Sequence, residues 1–159
     1  MKLSLLVVLI LSRYAQSCTN VIVSHGASND GNIMIGDNDD TAKRFGGVTH
    51  FAAVDKIEEG ATRDIYDFET SVFMGVISQP GKTLNVMGGA NEAGVVISES
   101  TMGGILELQG GENKILDYGS LITATLQRAT SARDAIATIV NLTDTYGYTS
   151  TMEGYTIHI

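Results

Sequence analysis

Residues 18–40 read CTNVIVSHGASNDGNIMIGDNDD, and the fold turns on how this stretch is read. Residues 19–24 (TNVIVS) alternate and are rich in β-branched side chains, which predicts a strand. Asn29-Asp30-Gly31 is a tight-turn signal, because these residues tolerate backbone that most others avoid. Residues 32–36 (NIMIG) predict a second short strand. Together the two strands make a hairpin that starts at Cys18. It delivers the run Asp37-Asn38-Asp39-Asp40 back beside that cysteine.

Upstream of Cys18, residues 1–11 read MKLSLLVVLIL. Lys2 gives a positive start, and the apolar run after it is shorter than the about 20 residues a membrane span needs. Ala15 and Ser17 then occupy the −3 and −1 positions of a cleavage site. This is the pattern of a secretory signal peptide over residues 1–17; a buried N-terminal strand or helix is the bland alternative. Processing would remove Lys2 and Arg13 and no acid, leaving 8 basic against 18 acidic residues and a net charge of −10. The mature chain, residues 18–159, is expected to be secreted, or held in a secretory-pathway or lysosome-like compartment. Cys18 would become its first residue. No later stretch is long and apolar enough to predict a membrane span.

The whole chain has 159 residues, 43% of them apolar and 18% charged, which fits one domain with one sizeable core. Its net charge of −8 argues against nucleic acid as a partner, since phosphate needs a basic surface. An anionic membrane surface is disfavoured for the same reason. With a single cysteine, Cys18, a disulfide framework and a Cys-based zinc site are both excluded. Eighteen glycines against one proline suggest many tight turns and hence many strands.

Further strands are predicted at residues 46–54, 71–78, 83–87 and 94–98, the last two flanking the connection Gly88-Gly89-Ala90-Asn91-Glu92-Ala93. After about residue 115 the period changes. Leu121, Ile122, Thr125, Leu126 and Ala129 fall at helical spacing within residues 117–129. Ser131 and Asp134 form a capping-box pattern ahead of Ala132, Ala135, Ile136, Ile139 and Val140. Strands followed by a helix pair predict an α+β fold rather than a βαβ parallel sheet. The chain ends at Ile159 inside what reads as another strand, and Asn141-Leu142-Thr143 is an N-glycosylation sequon.

Several familiar sites can be set aside. An EF-hand begun at Asp37 would need Gly at its sixth position and Glu at its twelfth, where the chain has Ala42 and Val48. Gly88-Gly89 is followed by no Gly-Lys-Ser/Thr, and there is no GxGxxG or GxSxG. His25, His50 and His158 have no metal-ligand spacing. No cofactor and no metal is expected.

What survives is Cys18 itself. An N-terminal cysteine carries its own base, since an unperturbed α-amine and thiol titrate within about one unit of each other. The amine takes the thiol proton, directly or through water, and leaves a thiolate beside an ammonium. Such a site needs an acceptor to orient the amine and a donor for the oxyanion. On spacing, Asp37, Asp39 and Asp40 are all candidates for the acceptor, and Asn91 in its glycine-rich turn is a candidate donor.

At these residues the chain resembles the dipeptidases of peptidase family C69. These are N-terminal-nucleophile hydrolases, related to bile-salt hydrolases and penicillin V acylases. Cys18-Thr19-Asn20, the block 27–31 (ASNDG) and the block 34–40 (MIGDNDD) are similar to that family's mature N-terminus. The block 88–95 (GGANEAGV) with Ser98-Glu99 is similar to its second motif, and residues 117–129 with Tyr146-Gly147-Tyr148 fit the family's next stretch. The resemblance covers essentially all of residues 18–159. It implies an αββα sandwich of two sheets between helices. Cys18 would be the nucleophile, its amine the base, Asp40 the acid that binds the amine and Asn91 an oxyanion-hole amide. The implied substrates are small dipeptides. Many relatives carry Arg where this chain has Asp37, and members of the family run on past this length, so only the N-terminal part of the sandwich is expected. The competing expectation is a non-catalytic secreted domain: a degenerate relative, or a lipoprotein acylated at Cys18. Ala15, where a lipobox usually has Leu, makes acylation the weaker branch.

Overall fold

The computed structural model describes residues 18–38, 48–101, 114–150 and 153–158. The expected hairpin is present. Strand β1 (Thr19–Val23) runs antiparallel to β2 (Met34–Asn38), with Val23 opposite Met34 and Thr19 opposite Asn38. The second strand starts two residues later than residues 32–36 suggest, because Asn32 belongs to the turn. Its backbone N–H and its Nδ2 both donate to the Asp30 carboxylate, at 3.1 and 2.7 Å. The Ser28 hydroxyl donates to the same group. These bonds, that from Ser28 foremost, hold the Asp30 carboxyl below its ordinary value. Gly31 follows at φ 73°, a conformation that a Cβ disfavours.

Next come β3 (His50–Phe51) and a second antiparallel hairpin, β4 (Thr62–Tyr66) with β5 (Phe73–Ser78). Of the strand expected at 46–54, the described part yields only β3 and a bridge between Val54 and Thr83. Strand β4 is not foreseen, because Arg63 and Asp64 break its apolar pattern and Ile65 alone is buried.

Three strands come close together after this hairpin: β6 (Val86–Met87), β7 (Ala90–Asn91) and β8 (Val96–Thr101). The glycine-rich connection is therefore itself partly strand. Gly88 and Gly89 form a two-residue turn between Met87 and its partner Ala90, with Gly88 at φ 57°. A Cβ on Gly89 would lie 2.8 Å from the Ile97 carbonyl oxygen, so β8 passes where a side chain would stand. The last strand, β9 (Glu153–His158), pairs antiparallel with β8. These strands form one sheet of order β3-β6-β7-β8-β9.

Two helices, α1 (Tyr118–Leu126) and α2 (Ala132–Tyr146), complete the described fold. Asp117 caps α1, its Oδ1 accepting from Ser120 N at 2.6 Å, while its Oδ2 accepts from Phe68 N and ties the hairpin β4–β5 to the helix. Ser131 caps α2 as expected, accepting from Asp134 N at 3.2 Å. The Asp134 carboxylate, however, reaches past Ser131 to Thr130 N at 2.9 Å, so only half of the capping box forms.

Both helices bury one face, in two neighbouring clusters. Leu121, Ala124 and Leu142 pack with Ile65, Ile77 and Leu116 over the hairpin β4–β5. Leu126, Ala129 and Ala135 pack with Val86, Val95 and Ile97 over the five-stranded sheet. Burying a Leu or Ile stabilises by about 1.5–3 kcal/mol each relative to exposure, so these two clusters are the main source of cohesion. Side chains alternate along a strand, so Ile97 faces the helices while Ser98 and Ser100 face the other way, toward β1. The fold is a mixed α+β arrangement. Helices cover one face of the sheet and the hairpin β1–β2 lies against the other.

Candidate active site

Cys18 stands immediately before β1 and is half-buried. Its carbonyl oxygen accepts a hydrogen bond from Ser100 Oγ at 3.3 Å. One residue along, the β1 ladder begins with Thr19 opposite Asn38, and Asn20 opposite Asp37. The hairpin thus carries Asn38, within the acid run, to the position opposite the residue next to Cys18. Asp37 is exposed there, opposite Asn20. Asp39 and Asp40 lie outside the described residues.

Asn20 links this strand end to the sheet. Its Nδ2 donates to the Glu99 carbonyl at 3.1 Å, and its Oδ1 accepts from Ser98 Oγ at 3.1 Å. Ser98 is only 7% exposed, so this polar pair is set into the molecule rather than laid on it. In the sequence, Asn20 and Ser98 stand out only as parts of two motifs, without a role of their own, and Ser100 does not stand out at all. The available signal is the alternation of Ser98 and Ser100 near the end of a strand otherwise led by Val96 and Ile97.

Asn91 is placed differently. It is 8% exposed and sits at the end of β7, on the helix side. Its Nδ2 donates to the carbonyls of Leu126 at 2.8 Å and Ala129 at 2.7 Å. Its Oδ1 accepts from the backbone N–H groups of Ala93 at 3.1 Å and Val95 at 3.0 Å. All four bonding positions of the amide are thus committed to backbone. The side chain locks the β7–β8 turn onto the end of α1. Nor does the fold bring Asn91 beside Cys18. Ala90 pairs with Val96, whereas Cys18 meets Ser100, four residues or about 13 Å further along β8 at ~3.3 Å per residue.

This geometry separates two roles for Asn91 by experiment. As a lock, Asn91→Ala strands two backbone carbonyls at and just beyond the end of α1 and two turn N–H groups, and is expected to cost about 3 kcal/mol or more in a denaturant titration. The folded fraction should then keep its kcat. An oxyanion donor would show the reverse, unchanged stability with kcat down on the order of 10²–10³-fold.

Among the described residues, no group of three or more His, Cys, Asp or Glu side chains is placed to hold a metal ion. Among the same residues, no helix is long and apolar enough to cross a membrane.

The mixed α+β arrangement is consistent with what comparison against known families shows. The family model described as peptidase family C69 matches residues 17–158. The chain belongs to peptidase family C69. A search of curated proteins returned no match.

Proposed function

We propose that this protein is a secreted cysteine-type dipeptidase, acting through Cys18 as an N-terminal nucleophile once residues 1–17 are removed. The observation that carries the reading is the position of Cys18. It heads a strand whose antiparallel partner leads directly into the acid run, and it comes directly after Ala15-Gln16-Ser17. Membership of a peptidase family supports peptides as substrates. Helices on one face of the sheet and a hairpin on the other support the N-terminal part of an αββα sandwich.

In the proposed reaction the Cys18 α-amine takes the thiol proton. The thiolate attacks the carbonyl carbon of the dipeptide's amide bond and gives a tetrahedral oxyanion. The ammonium returns its proton to the leaving nitrogen, the C–N bond breaks, and a thioester on Cys18 remains. The amine, neutral again, takes a proton from water as that water attacks the thioester. Collapse releases the second amino acid and restores the thiol. Asp40 is assigned to accept a hydrogen bond from the amine and favour its charged form during acyl transfer. Because Asn91 has both Nδ2 protons on backbone carbonyls, its assignment as the oxyanion donor is the part of the proposal that stability and kcat of Asn91→Ala decide.

The test is hydrolysis of a panel of dipeptides by the secreted product of the complete reading frame. Release of both amino acids, blocked by prior alkylation of the thiol, is the expected result. Hydrolysis that survives full alkylation of Cys18 would remove the nucleophile from the proposal.

A further inference from the structure

Once residue 17 is gone, Cys18 has a single covalent anchor, its peptide bond to Thr19. Amine and thiol both hang from its Cα, so the peptide plane that carries this Cα sets where the pair stands. The β1–β2 ladder begins one residue further on, with Thr19 opposite Asn38. Chain ends fray unless they are tied down. Here one tie comes from another sheet. Ser100 Oγ holds the Cys18 carbonyl at 3.3 Å and so fixes the plane of the Cys18–Thr19 peptide. Two residues along, Ser98 and the Glu99 carbonyl hold both ends of the Asn20 amide at 3.1 Å each. Positions 18 and 20 thus meet positions 100 and 98 in a two-point brace. The brace is anchored on β8, which lies between β7 and β9 with a bonded neighbour on each side.

We infer that Ser100, Ser98 and Asn20 are positioning residues for the nucleophile, holding the Cys18 backbone so that thiol and amine face the substrate together. The inference rests on the reading of Cys18 as an N-terminal nucleophile. None of the three supplies a proton or touches the scissile bond. Their effect is on geometry, and misplacing a reacting group by about 1 Å can cost a reaction on the order of 100-fold.

The test uses the mature, secreted protein and the variants Ser100→Ala, Ser98→Ala and Ser100→Thr. Each is measured for thermal unfolding, for kcat and KM with one dipeptide, and for the rate of Cys18 alkylation by iodoacetamide. Loss of one such hydrogen bond is expected to lower kcat about fivefold to tenfold, with KM within about twofold. The alkylation rate should change in Ser100→Ala. Ser100→Thr, which keeps the hydroxyl, should restore both. A purely structural serine would lower the unfolding temperature and leave the kcat and alkylation rate of the folded protein unmoved; that result, in Ser100→Ala or in Ser98→Ala should Ser100→Ala not fold, overturns the brace. Alkylation reads the thiol without turnover, so the two proposals fail separately. A protein that hydrolyses no dipeptide, yet whose alkylation rate responds to Ser100→Ala and is rescued by Ser100→Thr, sinks the dipeptidase reading and upholds the brace.

Discussion

Cys18→Ala is expected to abolish dipeptide hydrolysis, with kcat/KM down by on the order of 10⁴-fold or more, while the protein stays folded. The size of the effect comes from the role: without a nucleophile no acyl-enzyme forms, and residual catalysis comes only from substrate binding. The fold should survive because neither core cluster includes Cys18. The hydrogen bond from Ser100 Oγ uses the Cys18 backbone carbonyl, which alanine keeps. Cys18→Ser is the informative companion. A hydroxyl is far harder to deprotonate than a thiol, so the serine variant should keep only weak activity. Steady-state kinetics with unfolding curves for all three proteins checks this. Near wild-type turnover by Cys18→Ala would rule out covalent catalysis at this position.

The second large effect is expected at Asp40. The α-amine must be neutral to take the thiol proton and charged while the acyl-enzyme forms. A carboxylate that accepts its hydrogen bond sets its direction and favours the charged form. Such a group must lie beside Cys18; β2 ends at Asn38 directly opposite Thr19, and of the acids around it, Asp37, Asp39 and Asp40, the family resemblance points to Asp40. Asp40→Asn should lower kcat/KM by on the order of 10²–10⁴, the range for a group that organises general acid–base transfer. Asp39→Asn should matter much less, since the family resemblance points to Asp40 as the acid that binds the amine. The two variants, measured against one dipeptide, decide the register. Equal small losses would make the acid run a solvated turn, and a larger loss at Asp39 would move the assignment by one residue.

What the sequence reveals depends on how local the code is. The first hairpin is legible because its turn is written in adjacent residues, Asp30 to Asn32, and its strands in β-branched runs. The helix pair is legible for the same reason, with Asp117 and Ser131 at the caps and apolar residues at helical spacing. Strand β4 is hidden, because Arg63 and Asp64 look like loop residues until β5 pairs with them. The brace is more deeply hidden. Asn20 meets Ser98 and Cys18 meets Ser100 across 78 and 82 positions, and no window of sequence spans that distance. Asn91 shows the opposite difficulty. Its motif is conspicuous, yet a conspicuous Asn in a glycine-rich turn reads equally as a catalytic amide and as a lock. Only its four backbone partners show where its bonding capacity goes.

The central claim is that Cys18 bears the α-amine of the working protein. Intact-mass and N-terminal peptide mass spectrometry of the secreted, purified chain tests it most directly. The account predicts a chain that begins at Cys18, with an unmodified α-amine and a thiol that iodoacetamide labels. A chain that begins at any other residue, or a Cys18 whose amine is acylated or whose sulfur carries a lipid, would separate the base from the nucleophile and contradict it.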